Sequence, residues 1–216
     1  MIRPDCARLV VVPMKDPSRA KTRLGEVLDP SRRARLAVTL FKLTLQRLGR
    51  AQGAVTHGFD IATVTASPAI ARLARDAGIA VIDEGSADGL NAAVTLAADW
   101  AALRGYASLG VLPGDLAAPT LGDLLRLLDR PAASDLAVVC ASADGGTNAL
   151  ILPLPARMRF RYGQGSFRAH LAEAGAAGLH TLAPALGSLR HDVDRREDLL
   201  GFSLLHHAPM TVEARP

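Results

Sequence analysis

Tyr106-Ala-Ser-Leu-Gly-Val-Leu112, followed at once by Pro113-Gly114-Asp115-Leu116, is the stretch whose reading decides the fold. The first seven residues form a short apolar run bounded by turn residues, which reads as a buried strand. Pro113 and Gly114 end that strand, and a carboxylate follows immediately. In open α/β sheets, ligands bind just beyond the carboxyl ends of the strands. Asp115 therefore stands where a side chain can hold a metal ion on a bound phosphate. In its other reading, the junction is a plain turn whose carboxylate bonds its own backbone.

Moving outward, apolar strands alternate with helical patterns. Arg8-Leu-Val-Val-Val-Pro13 reads as a central parallel strand. Asp29-Pro-Ser-Arg opens a helix to about Arg50, with Pro30 at its first turn and Leu36, Leu40 and Leu43 at helical spacing. Asp60–Val64 is a second strand, Ser67-Pro68 opens a short helix ending at Gly78, and Ile79–Ile82 is a third strand. A helix from Ala92 to about Leu103 precedes the opening stretch. Thr120–Leu128 and Leu136–Cys140 follow it as helix and strand. Such alternation with short connections predicts an α/β fold, a mainly parallel twisted sheet with helices on both faces. The pattern changes at Ala143-Asp-Gly-Gly-Thr-Asn148, a turn that predicts an antiparallel strand near 147–153. No repeat or linker interrupts the chain. It reads as one domain over residues 1–216, with a core of about 8–200 and a tail of 202–216 that frays from Thr211.

The composition limits the possible functions. A hydrophobic fraction of 49% supports a full core, and only 4% aromatics leaves Leu, Val, Ile and Ala to fill it. The net charge of +4 is uneven: residues 1–50 hold 12 Lys/Arg against 4 Asp/Glu. A basic segment suits nucleic acid or one polyanionic small ligand, but the interleaved aromatics of single-strand binders are missing. Arg32, Arg33, Arg35, Lys42, Arg47 and Arg50 fall at helical spacing and read as a solvated face. Cys6 and Cys140 match neither a disulfide framework nor a metal spacing. No apolar run is long enough to span a bilayer and no signal-peptide pattern is present, so a soluble, cytoplasmic protein is expected.

Five motifs carry chemistry. Lys15, Arg19, Lys21 and Arg23 lie within nine residues of a loop after the first strand, suited to wrapping phosphates. The Walker glycines are absent. Asn91 ends the polar turn Asp83–Asn91 at a helix mouth, where it can cap the helix or read a ligand edge. Gly145-Gly-Thr147 can form an anion-binding nest. Gly163-Gln-Gly-Ser166 allows close backbone approach, with Ser166 as an N-cap bearing a free hydroxyl. Asp192 and Asp194, two apart on a short strand over Leu189–Asp194, point to one side, and Mg²⁺ would relieve their repulsion. Alternatively, Asp194 caps the helix beginning at Arg195. The histidines show no ligand spacing. His170 reads as structural or surface, and His191 sits beside Asp192.

Taken together, Val12–Leu24, Gly89–Ala93, Leu112–Leu116, Gly145–Leu150, Gly163–Phe167 and Asp192–Leu199 resemble the 2-phospholactate/phosphoenolpyruvate guanylyltransferase family of coenzyme F(420) biosynthesis. Arg195-Arg196 stands where that family more often has Thr-Pro. The resemblance implies a nucleotidyltransferase (nucleotide-diphospho-sugar transferase)-like fold. It also implies GMP transfer from GTP, with Mg²⁺, to 2-phospholactate, phosphoenolpyruvate or 3-phosphoglycerate. It implies Asp115, Asp192 and Asp194 as metal ligands and Thr147, Gly163 and Ser166 as acid-binding residues. Lys15, Arg19, Lys21 and Arg23 would meet the triphosphate, with Asp115, Lys15 and Arg23 catalytic. Gly89, Leu90 and Asn91 would meet the nucleoside. The product would pass to a deazaflavin transferase. The alternatives are a nucleotidyltransferase of other specificity (a sugar phosphate or molybdopterin-type acceptor) and a non-catalytic nucleotide-binding subunit.

Overall fold

Leu9, Val10, Val11 and Val12 are all fully buried, which places their strand in the middle of a sheet covered on both faces. The computed structural model describes residues 7–85, 88–199 and 202. In it β1 (Arg8–Pro13) pairs in parallel with β2 (Phe59–Thr65) on one side and β4 (Ser108–Val111) on the other. β3 (Ala80–Asp83) extends the sheet beyond β2. β5 (Leu136–Ala141), β6 (Thr147–Pro153) and β7 (His180–Leu182) complete the order β3-β2-β1-β4-β6-β5-β7. β6 runs antiparallel to both β4 and β5, and β7 is parallel to β5. The reversal expected near 147–153 is therefore this strand.

Side-chain alternation along β1 divides the core in two. Val10 and Val12 face the layer made by α1 (Pro30–Gln52), α2 (Pro68–Asp76) and α4 (Leu121–Leu128). Leu9 and Val11 face α3 (Gly89–Ala102) and α5 (Ser166–Ala176). α1 starts as its sequence requires. Asp29 accepts from the Arg32 N–H at 2.8 Å and Pro30 occupies the first turn. A third, smaller cluster joins Leu24, Leu28, Leu36 and Leu40 to Val193, Leu199 and Phe202. Burying a Leu or Val side chain contributes about 2 kcal/mol. This cluster therefore fixes the end of the basic loop against the segment that carries Asp192 and Asp194.

Several local expectations need correction. α3 starts at Gly89 rather than Ala92, so Asn91 lies inside its first turn and Asp88 holds the N-cap position. α5 starts at Ser166, with Gly165 in the cap position at φ 69°, so Ser166 is the first helical residue and not the cap. Residues 189–194 do not form a strand. A short 3-10 turn (Gly187–Leu189) leads to a single antiparallel bridge between Asp192 and Leu116. β7 was not expected, because His180-Thr-Leu182 carries no apolar alternation and gains its place only by pairing with β5. Cys6, residues 86–87 of the polar turn and the tail from 203 lie outside the described residues. No helix among the described residues is long and apolar enough to cross a membrane.

Candidate active site

The carboxyl ends of β1 and β4 converge at Asp115. Gly114, just before it, packs flat on the core. A Cβ there would lie 3.1 Å from Phe41 Cδ2 and 3.3 Å from Val12 Cγ1. The chain after Asp115 then pairs with residues brought from far along the sequence. The Ala117 N–H donates to the His191 carbonyl at 2.9 Å, and the Val193 N–H to the Asp115 carbonyl at 3.2 Å. These bonds set Asp192 and Asp194 beside Asp115. Each of the three carboxylates offers an oxygen within 4.8 Å of the other two.

A lysine sits in this cluster. Lys21 Nζ donates to Asp115 Oδ2 at 2.6 Å and to Asp194 Oδ1 at 2.8 Å, with its side chain only 3% exposed. To get there its backbone adopts φ 55°, the one positive φ of a non-glycine among the described residues. That conformation costs on the order of 1 kcal/mol, which the two charged hydrogen bonds offset. Burial pulls the ammonium's pKa down, and the Asp115 and Asp194 charges more than reverse this, leaving it raised. Burial, and then repulsion from Asp115 and Asp194, pushes the Asp192 carboxyl up to about 6. The cluster therefore holds more negative charge than Lys21 neutralises. An all-oxygen donor set of this kind fits a hard divalent cation.

The rest of the basic loop stays outside. Asp16 anchors it by accepting from the Ser18 N–H and hydroxyl and from Ser67 Oγ, at 2.7 Å for the last. Ser67 thus ties the loop to the end of β2 rather than capping α2. Lys15, Arg19 and Arg23 are exposed, and Arg23 Nη1 lies 3.6 Å from Asp194. Of the four cations read as one group, one turns in and three face out.

The glycine-rich segments form the opposite wall. The β5–β6 turn is held by its own side chains. Asp144 accepts from Ser142 Oγ and from the Gly146 N–H, and the Gly145 N–H turns to the Ser142 carbonyl. The nest expected at Gly145 and Gly146 is thus occupied by the chain's own carboxylate and is not free for a ligand anion. A Cβ on Gly146 would meet Ser142 Oγ at 2.8 Å, so a side chain there would push that hydroxyl away from Asp144. The Ala143 N–H donates to the Arg190 carbonyl at 2.8 Å, which joins the turn to the Asp192 segment. The Phe167 N–H reaches the Gly145 carbonyl at 3.3 Å, which joins it to α5. Thr147 and Ser166 are buried at this junction, and Gly163, with φ 137°, is exposed in the loop before α5.

Asn91 does not cap. Its Oδ1 accepts the Tyr162 N–H at 2.7 Å and its Nδ2 donates to the Tyr162 carbonyl at 3.2 Å. The amide brackets the backbone of one loop residue, Tyr162, and links the exposed Gly89 and Leu90 to the Gly163 side. Asp194 does not cap the final helical turn either. Asp198 does so, accepting from the Asp194 and Arg195 N–H groups at 3.0 and 2.6 Å, which frees the Asp194 side chain for Lys21.

Two residues of this wall had no signal of their own. His170 is fully buried against Thr147 Oγ1, with 2.9 Å from its Nδ1. Its spacing of four from Ser166 places both on one helix face, and that was the available clue. Asn148 is buried, and its Nδ2 finds no hydrogen-bond partner among the described residues.

Comparison with known proteins gives the following. A family model described as "Guanylyl transferase CofC like" matches residues 8–212. The chain is 34% identical to phosphoenolpyruvate guanylyltransferase of Chloroflexus aggregans, over 88% of this chain and 94% of that one. It is 34% identical to 3-phospho-D-glycerate guanylyltransferase of Colwellia psychrerythraea, over 94% of each. It is 30% identical to 2-phospho-L-lactate guanylyltransferase of Methanothermobacter thermautotrophicus, over 91% of this chain and 83% of that one. Among solved structures, a nucleotidyl transferase from the same organism superposes with a TM-score of 0.61 at 16% identity, covering 93% of this chain and 99% of that one. That likeness supports the fold alone.

Proposed function

Because the chain belongs to the CofC-like guanylyl transferase family, we infer that it transfers GMP from GTP to the phosphate of a small phosphorylated acid in coenzyme F(420) biosynthesis. Pyrophosphate is the other product. The observation that carries this reading is the gathering of Asp115, Asp192 and Asp194 around Lys21, between a wall of outward cations and a glycine-rich wall. The acceptor is phosphoenolpyruvate, 2-phospholactate or 3-phosphoglycerate, the acids named for the relatives. The chain acts as one nucleotidyltransferase domain, and its labile product passes to a transferase that joins the acid to a deazaflavin.

The reaction is a direct displacement. An oxygen of the acid's phosphate forms a bond to the α-phosphorus of GTP as the bond from that phosphorus to the β-phosphate bridging oxygen breaks. The electron pair leaves with pyrophosphate. The attacking phosphate is already ionised, so no general base is required and positioning with charge neutralisation dominates. Lys15, Arg19 and Arg23 face the solvent side and meet the triphosphate, with Lys15 and Arg23 offsetting charge on the departing pyrophosphate. Lys21, bonded to Asp115 and Asp194, would add one further positive charge beside the triphosphate. Gly89, Leu90 and Asn91 border the nucleoside, and Thr147, Gly163 and Ser166 border the acid. Asp115, Asp192 and Asp194 would hold Mg²⁺, which when bound polarises the α-phosphate and relieves the repulsion among the three carboxylates.

The test is pyrophosphate release and deazaflavin product formation, read by mass spectrometry. Each acid is supplied separately with Mg²⁺, GTP, the transferase and its deazaflavin acceptor. Product with GTP and one acid is expected. Turnover with CTP in place of GTP, or pyrophosphate release with none of the acids, overturns the assignment.

A further inference from the structure

We propose that His170 is a positioning residue for the phosphorylated acid: it turns the Thr147 hydroxyl into an obligate donor and ties it to the loop leading to Ser166. The inference rests on the assignment of Thr147 to the acid.

Two hydrogen bonds settle the tautomer. The Arg161 backbone N–H approaches His170 Nε2 at 2.9 Å. An amide N–H only donates, so Nε2 carries no hydrogen. The ring is fully buried, and burial holds its pKa down to about 4, so it is neutral near pH 7 and its single proton sits on Nδ1. Nδ1 lies 2.9 Å from Thr147 Oγ1 and therefore donates to it. The hydroxyl hydrogen of Thr147 is then directed away from the imidazole. An ionised phosphate or carboxylate is acceptor-only. In the opposite tautomer the hydroxyl would spend its hydrogen on His170 and present a lone pair to the anion. The observed arrangement excludes that repulsive state before any ligand arrives.

The same ring holds the other half of the acid site. Arg161 is fixed through its N–H by His170 and through its guanidinium by Glu173 at 2.7 Å. The Tyr162 ring packs edge-on against the imidazole, with centroids 4.7 Å apart. Gly163 and Gly165 follow with positive φ, so this loop has little stiffness of its own. One imidazole thereby sets β6, which carries Thr147, relative to the loop that carries Gly163 and the start of α5.

The test uses two substitutions that separate the ring nitrogens. His170→Asn keeps a donor near the Nδ1 position, and His170→Gln keeps an acceptor near Nε2 but loses the donor to Thr147. His170→Gln is expected to raise KM for the phosphorylated acid about tenfold, and His170→Asn about threefold or less, with KM for GTP within about twofold of wild type in both. In a Thr147→Val background, His170→Gln is expected to add no more than about twofold. Equal increases in both KM values, or an undiminished effect in that background, reduce His170 to a packing residue and overturn the proposal. A Thr147→Val variant with normal KM for the acid removes the underlying assignment instead, so the two failures are distinguishable. Imidazole ¹⁵N chemical shifts of the wild-type chain test the tautomer independently of any variant's folding. A protonated Nδ1 is expected, and a protonated Nε2 overturns the proposal.

Discussion

The two walls of the site are built on opposite electrostatic principles. On one, Lys21, Asp115, Asp192 and Asp194 meet as full charges from three distant parts of the chain, and the Asp192 carboxyl is pushed up to about 6 by burial and its neighbours. On the other, Thr147, His170, the Arg161 N–H and the Asn91 amide bond as neutral groups with their roles already assigned. The charged wall carries three carboxylates against the one buried ammonium of Lys21, so it is under-neutralised. The neutral wall has most of its hydrogen bonds made within the chain, with Asn148 Nδ2 left without a partner among the described residues. Preorganised dipoles serve an anion that must be oriented, whereas unsatisfied charge serves a cation that must be captured.

Substitution in the charged wall is expected to have the largest effect. Asp115→Asn should lower kcat by roughly 10²-fold or more while the thermal transition is retained, the result expected of the proposed metal-holding role rather than of packing. A near-normal kcat would take Asp115 out of the group. In the neutral wall, Thr147→Val or Ser166→Ala should instead raise KM for the acid about tenfold with kcat little changed. If KM for GTP moves in its place, the walls are assigned the wrong way round.

Smaller effects follow on stability. Asp192 titrates higher in the native state than an ordinary aspartate, so its destabilising charge is absent below about pH 4, grows to about pH 6 and is complete above that. Asp192→Asn should therefore raise the melting temperature at pH 7.5 in the absence of metal and leave it unchanged at pH 4. Added Mg²⁺ should raise the melting temperature of the wild type more than that of the variant. A variant that melts lower than wild type at pH 7.5 would contradict the excess charge.

His170 shifts in the other direction. Burial depresses it to about 4 despite the nearby Glu173 charge, so its contribution is complete above about pH 6.5 and is lost as pH falls toward 4. Replacing His170 with Asn should flatten this part of the denaturation profile. Parallel wild-type and variant profiles between pH 6.5 and 4 would show that the ring is not held neutral.

Much of the fold was legible because it depends on local pattern. Apolar runs, Pro30 and Asp29 at a helix start, and the Gly145-Gly146 turn located the strands, α1 and the reversal into β6. Asp115 was legible because a carboxylate after a strand end has few places to go in an open α/β sheet. Asp192 and Asp194 do lie together, but a single bridge and not the expected strand brings them there, so their spacing alone was not the reason. Ser166 was misread as a cap, and Asn91 and Asp194 were each left between two roles. Helix ends shift by a few residues, and a polar side chain near a helix mouth finds whichever backbone group tertiary packing brings closest.

By itself, the sequence determined the alternating α/β architecture, the acidic and glycine-rich motifs, and their family. All of these follow from residue type at short separation. Only the tertiary structure decided that Lys21 turns inward while Lys15, Arg19 and Arg23 stay out, that Asp144 fills the nest, and that His170 governs Thr147. Those outcomes depend on contacts across 94 residues for Lys21 and Asp115 and 23 for Thr147 and His170. Hydrogen bonds and ion pairs are decided at separations near 3 Å, and sequence spacing does not specify distance on that scale between elements that meet only after the sheet has formed.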